Sequence, residues 1–145
     1  MDFDKKPFID TEALIFGIGQ VSKITGVSSR QLRYWEEQKY ISALQKRKGT
    51  SRQYSMHTLI RIFHIQRFLS RGFTLQAAVE KAEKIDQEAP VIRDFLVQQF
   101  IGVKIEGDRS VLDFGYKDDS KKERVYGVLQ NGKASFEIVP ESKEE

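Results

Sequence analysis

Residues 30–37 hold the densest chemistry in this chain. Arg30, Arg33, Tyr34 and Glu37 fall at i, i+3, i+4 and i+7, so on a helix they share one face. Leu32 and Trp35 fall on the opposite side, where a short helix needs its apolar contacts. An arginine fork suits the O6/N7 edge of guanine or a phosphate, and a tyrosine hydroxyl one turn along can donate to a phosphate. Ser28 and Ser29, just upstream, add hydroxyl and backbone donors at the positive end of the helix dipole. The bland alternative is a solvated basic helix.

Two further clusters extend the pattern. Lys46, Arg47 and Lys48 precede Gly49, Thr50, Ser51 and Arg52, a tip with four cations that can enter a minor groove or lie along phosphates. His57, Arg61, His64 and Arg71 recur at i, i+4, i+7 and i+14, a cationic stripe that either flanks the same backbone or is plain surface. His57 and His64 lack a third ligand, so no metal is expected there, and no cofactor is expected elsewhere.

The elements that must carry these groups are legible from spacing. Ile18, Val21 and Ile24 predict a short helix over 19–25, stopped by Gly26. Ser28 or Ser29 caps a second helix running to about Gln38, which makes a helix-turn-helix. Tyr40 to Leu44 and Arg52 to Ser55 can extend as a hairpin or wing. A third helix spans Met56 to about Ser70, with Leu59, Ile62, Phe63, Gln66 and Leu69 on one face. Thr74 caps a fourth, with Leu75, Ala78, Val79, Ala82 and Ile85 as its stripe, and Pro90 opens a separate fifth helix to roughly Phe100. Beyond Gly102 the period changes to two. Strands are expected around Val103, Leu112 to Tyr116, Val125 to Leu129 and Ala134 to Val139, with Asn131-Gly132 as a tight turn.

Bulk properties agree with a polyanion partner. The formal net charge is +3, yet residues 19–72 hold eleven Lys/Arg against two Asp/Glu, while residues 1–18 sum to −2 and residues 73–145 to −4. There are no cysteines, which removes disulfides, thiolate metal sites and thiol switches. Residues 1–10 contain no apolar h-region and the longest apolar run is Ala13 to Phe16, so a soluble, cytoplasmic chain without a membrane span is expected. No Gly-rich phosphate loop, HExxH or nucleophile elbow is present, and an enzyme is not expected.

Residues 18–37, IGQVSKITGVSSRQLRYWEE, resemble the opening of MerR-type transcriptional regulators, with the Arg-Tyr-aromatic-Glu signature at Arg33 to Glu36. GTSRQYS at 49–55 resembles that family's first wing, and RGFTL at 71–75 its second helix-turn. The resemblance covers about Phe16 to Ile85. It implies a winged helix-turn-helix with 28–38 as recognition helix, Arg30 and Arg33 near base edges or phosphates, Tyr34 on phosphate, and Arg52 with Tyr54 as wing contacts. It also implies a homodimer on an inverted repeat of double-stranded DNA, recognised partly through deformability, with RNA polymerase as a candidate partner and an unknown effector. The segment Phe8 to Phe16 resembles the nitrogen-metabolism branch, whose C-terminal tail is not recognisable.

The expected organisation is therefore mainly α with β. A 1–15 extension precedes a 16–86 winged helix-turn-helix, a short 87–102 helix with a dimerisation role, a 103–140 antiparallel β appendage and a 141–145 tail. Two other readings compete: an architectural or excisionase-like DNA-binding protein, and a protein-interaction adaptor working through the appendage.

Overall fold

A computed structural model of the chain describes residues 11–44 and 51–142. They divide into two compact units, Met1–Gln87 and Glu88–Glu145.

In the first unit a single 3-10 turn, Thr11–Ala13, leads into β1 (Ile15–Gly17) and α1 (Ile18–Thr25). Gly26 ends α1 at φ 74°, a left-handed conformation in which glycine escapes the Cβ clash, and its N–H donates to the Ser22 carbonyl at 2.9 Å. Val27 fills the turn and is fully buried. Helix α2 (Ser29–Glu37) starts at Ser28, whose Oγ accepts from the Gln31 N–H at 3.1 Å while the Gln31 Oε1 accepts from the Ser28 N–H at 3.1 Å. That reciprocal box resolves the choice of cap in favour of Ser28.

The expected hairpin between 40–44 and 52–55 is replaced by a different pairing. Strand β2 (Gln53–Ser55) lies antiparallel to β1, with Phe16 opposite Tyr54, and residues 40–44 contribute one bond, Leu44 N–H to the Gln53 carbonyl at 2.8 Å. Burying the Tyr54 ring places β2 against α1 and α3, which puts β1 within reach of its free edge.

Helix α3 (Met56–Ser70) is capped by the Ser55 Oγ and buries Thr58, Leu59, Ile62 and Ile65. Phe63, expected on this face, is 53% exposed because it stands about 100° round the helix from Ile62. Ile24 of α1 is likewise exposed.

Helix α4 (Leu75–Gln99) corrects the expectation of two helices. Thr74 accepts the Ala77 N–H at 3.2 Å, Ala78, Val79 and Ala82 enter the core, and the helix continues through Pro90 to Gln99. Proline has no N–H to return to the Asp86 carbonyl, so one intrahelical bond is forgone while the flanking turns persist. No helix among the described residues is long and apolar enough to cross a membrane.

The second unit contains the end of α4 and an antiparallel meander in the order β3 (Gly102–Glu106), β4 (Arg109–Tyr116), β5 (Glu123–Gln130), β6 (Lys133–Pro140). Gln130 pairs with Lys133 across Asn131-Gly132, both at positive φ, which is the two-residue turn that the Asn-Gly pair predicts. Register sorts the faces. Val103, Leu112, Gly127 and Phe136 form one cross-strand row and Ile105, Ser110, Leu129 and Ala134 the next, all on one side. The other side carries Asp113, Arg124 and Glu137, with Arg124 to Asp113 at 2.8 Å and Arg109 to Glu137 at 3.0 Å.

Candidate nucleic-acid interface

Helix α2 is fixed from behind. Leu32 and Trp35 are buried with Val21, Val27 and Ile41, so rotation of the helix would expose a large apolar ring. This anchoring leaves Arg30, Arg33, Tyr34 and Glu37 exposed on the outer side, as the i, i+3, i+4, i+7 spacing predicts. Among the described residues, Arg30 and Arg33 make no hydrogen bond or ion pair. Two guanidinium groups one turn apart on a rigid helix are the donor set for a guanine edge or adjacent phosphates.

Ser28 has a different role from the one its hydroxyl suggested. Its Oγ is already engaged with Gln31, accepting from the backbone N–H and donating to Oε1 at 3.1 Å. Ser29 opens the helix and is half-buried. Their backbone N–H groups remain at the positive helix end.

Glu36 ties the recognition helix to β2. Its Oε2 accepts from the Tyr54 hydroxyl at 3.2 Å and forms an ion pair with Arg52, 2.9 Å from Nε. Tyr54 is fully buried, and burial, followed by the negative Glu36, pushes its hydroxyl up to about 12. Tyr54 is thus a core residue with a polar handle, not a surface contact, because its ring fills the space between β2 and the helices. Arg52 is 30% exposed and held by Glu36, which orients the strand that follows residues 45–50. The glutamate was visible in the Arg-Tyr-Trp-Glu string, but its partners lie sixteen and eighteen residues on.

The cationic stripe of α3 is largely neutralised. Arg61 pairs with Glu83 at 3.0 Å and Asp86 at 3.1 Å, and only 20% of its side chain is exposed. His57 is exposed, with Nε2 4.0 Å from Asp86. His64 is half-buried. Arg71 is exposed at the C-cap of α3, and Ser51 is exposed before β2. Lys46, Arg47, Lys48 and Thr50 lie outside the described residues.

Sequence spacing missed Lys81. Its Nζ sits over the Phe73 ring at 4.7 Å and the Phe68 ring at 5.8 Å, and the rings meet edge to face at 5.8 Å. The cluster braces the α3–α4 turn next to Arg71 with a cation–π contact. The signal was Phe73 beside a lysine two turns into the next helix, which only the turn brings together. Lys23, exposed in the last turn of α1, is a second cation that spacing did not single out.

Residues 16–85 match the family described as MerR HTH family regulatory protein. The chain is similar to the HTH-type transcriptional regulator TnrA of Bacillus subtilis (strain 168), at 34% identity over 73 residues, covering 50% of this chain and 66% of that protein. The match thus spans a little under two thirds of that relative's length. The residues after 85 lie beyond the family match. The capped helix pair, the left-handed turn at Gly26 and strand β2 all fall inside it. Residues 16–85 are thus a MerR-type helix-turn-helix region of the kind found in that family's regulatory proteins.

Proposed function

We propose that the chain is a sequence-specific, double-stranded DNA-binding transcriptional regulator that acts as a homodimer on an inverted repeat. One observation carries the reading: Arg30, Arg33 and Tyr34 stand unpaired and exposed on a helix whose other side is locked by Leu32 and Trp35. Arg30 and Arg33 read base edges or phosphates from the major groove, and Tyr34 donates to a phosphate and sets the register. Arg71 and Lys23 add phosphate contacts, and Lys46, Arg47 and Lys48 supply further charge toward the phosphates. Two copies related by a two-fold axis would place their recognition helices about 34–36 Å apart on one face of the duplex. RNA polymerase is the further partner such a regulator would address.

Affinity selection of sheared genomic DNA on the purified chain, followed by sequencing, tests this. An enriched inverted repeat is expected. Direct repeats or single half-sites would replace the dimeric regulator with an architectural DNA-binding protein, and a background that merely weakens with salt would remove sequence-specific reading altogether.

A further inference from the structure

The Glu88–Glu145 unit is the part of the molecule that the family match leaves unexplained. Among its described residues Val128 alone of the hydrophobic side chains is buried. Beyond its backbone ladder the meander is held by ion pairs and by ring contacts such as Phe100 on Phe114, 6.3 Å between centroids, and it buries little of its apolar surface. Its apolar groups are nevertheless sorted. Ile105 (72% exposed), Phe136 (77%) and Ile138 (53%) lie on one face of the sheet, while the Arg109–Glu137 and Arg124–Asp113 pairs occupy the other.

The same unit also carries a second uncovered apolar element. Ile92 and Phe95 of α4, three residues apart, are 59% and 60% exposed. Between the sheet's apolar rows lies an open depression of about 350 Å³ at Gly127, lined by Leu112, Phe114, Leu129 and Phe136. A Cβ at Gly127 would stand 2.9 Å from the Phe114 ring, so the glycine is what lets that ring lie flat on the sheet. Knob and hollow therefore coexist on one surface, Phe136 projecting beside the Gly127 depression.

We infer that this face is covered by the same face of a second copy of the chain. A two-fold axis makes such a contact self-complementary, each copy's projecting Phe136 meeting its partner's hollow. Six large apolar side chains of the sheet face and α4 (Ile92, Phe95, Val103, Ile105, Phe136 and Ile138), each more than half exposed, present on the order of 700 Å² in each copy, close to the roughly 800 Å² per partner of a stable interface and above the about 600 Å² of the largest patch of a typical monomer. Apart from Ser110 the rows around Phe136 are apolar, with charge only at one end of the face, where Glu123 pairs with Lys117, a composition closer to a homodimer seam than to a polar heterologous contact. The inference rests on the homodimer reading above and supplies its surface: the appendage, rather than a recognition-helix neighbour, joins the two DNA-binding units.

Sedimentation of the full chain and of Phe136→Asp and Ile105→Asp, with Gln130→Lys on the opposite face as control, tests it. The wild type and the control should sediment as dimers, and each aspartate should weaken dimerisation by at least about 100-fold, because the two-fold axis removes every contact twice. Both residues are exposed in a single copy, so circular dichroism of the monomeric variants should be unchanged. The chain has no cysteine, so Ile138→Cys takes a single spin label, and dipolar coupling between labels is expected only if two copies meet on this face. A monomeric wild type would overturn both the surface and the homodimer. A dimer that survives both aspartates and shows no coupling would overturn the surface and leave the homodimer standing.

Discussion

Between Val21 and Ala82 twelve apolar residues form one cluster closed to water, whereas beyond Gln87 Val128 is the one buried hydrophobic side chain among the described residues. Both regions build regular hydrogen-bonded elements. The first does so with helices whose stripes converge on Trp35 and Tyr54, the second with a four-strand ladder whose apolar rows face outward. The difference teaches that regular hydrogen bonding and a closed core are separate achievements. A ladder is specified by alternation and turns, while a core requires a second layer.

The comparison breaks most sharply at Trp35. Trp35→Ala should destabilise the first unit by about 3–5 kcal/mol, while Phe136→Ala in dilute, monomeric protein should stay within about 0.5 kcal/mol. Thermal unfolding of the two variants decides it, and equal losses would erase the distinction.

Alkaline pH gives the next effect. The Tyr54 hydroxyl is held near 12 in the fold against about 10 in the unfolded chain, so the native state keeps a proton that the unfolded state releases. This contribution is whole below pH 10 and is lost as pH rises toward 12, amounting to roughly 2–3 kcal/mol. Urea titrations at about pH 9 and about pH 12 should show that loss in the wild type and a smaller one in Tyr54→Phe.

Within the first unit, free and paired arginines should behave differently. Arg33→Ala is expected to weaken binding to the selected operator by about 1–3 kcal/mol. Arg61→Ala, whose charge is already met by Glu83 and Asp86, should leave operator affinity within about twofold while lowering the melting temperature. Fluorescence anisotropy on one labelled duplex compares them, and a larger binding loss for Arg61 would return the α3 stripe to the interface.

The smallest effect lies at the β5–β6 turn. Gly132 sits at φ 72°, so Gly132→Ala should cost about 1 kcal/mol, seen as faster amide exchange confined to the two flanking strands.

Much of this was legible along the chain. The Ser28–Gln31 box, the Gly26 stop, the exposed Arg30–Arg33–Tyr34 face and the Asn131-Gly132 turn each depend on residues within one or two helical turns, or on a two-residue loop. Alternation likewise placed the four strands. Other features answered to residues far apart. Pairing of Ile15–Gly17 with Gln53–Ser55 displaced the expected 40–44 hairpin, because a buried Tyr54 carries its strand to that edge. Tyr54 and Arg52, both expected on DNA, turned toward Glu36, and Arg61 toward Glu83 and Asp86. Pro90 reads as a helix start locally, yet the helix runs through it. Local order was set by neighbours in sequence, whose separation the covalent chain limits. Which charge stays free, and which ring is buried, depended on distant residues whose meeting only the packed core decides.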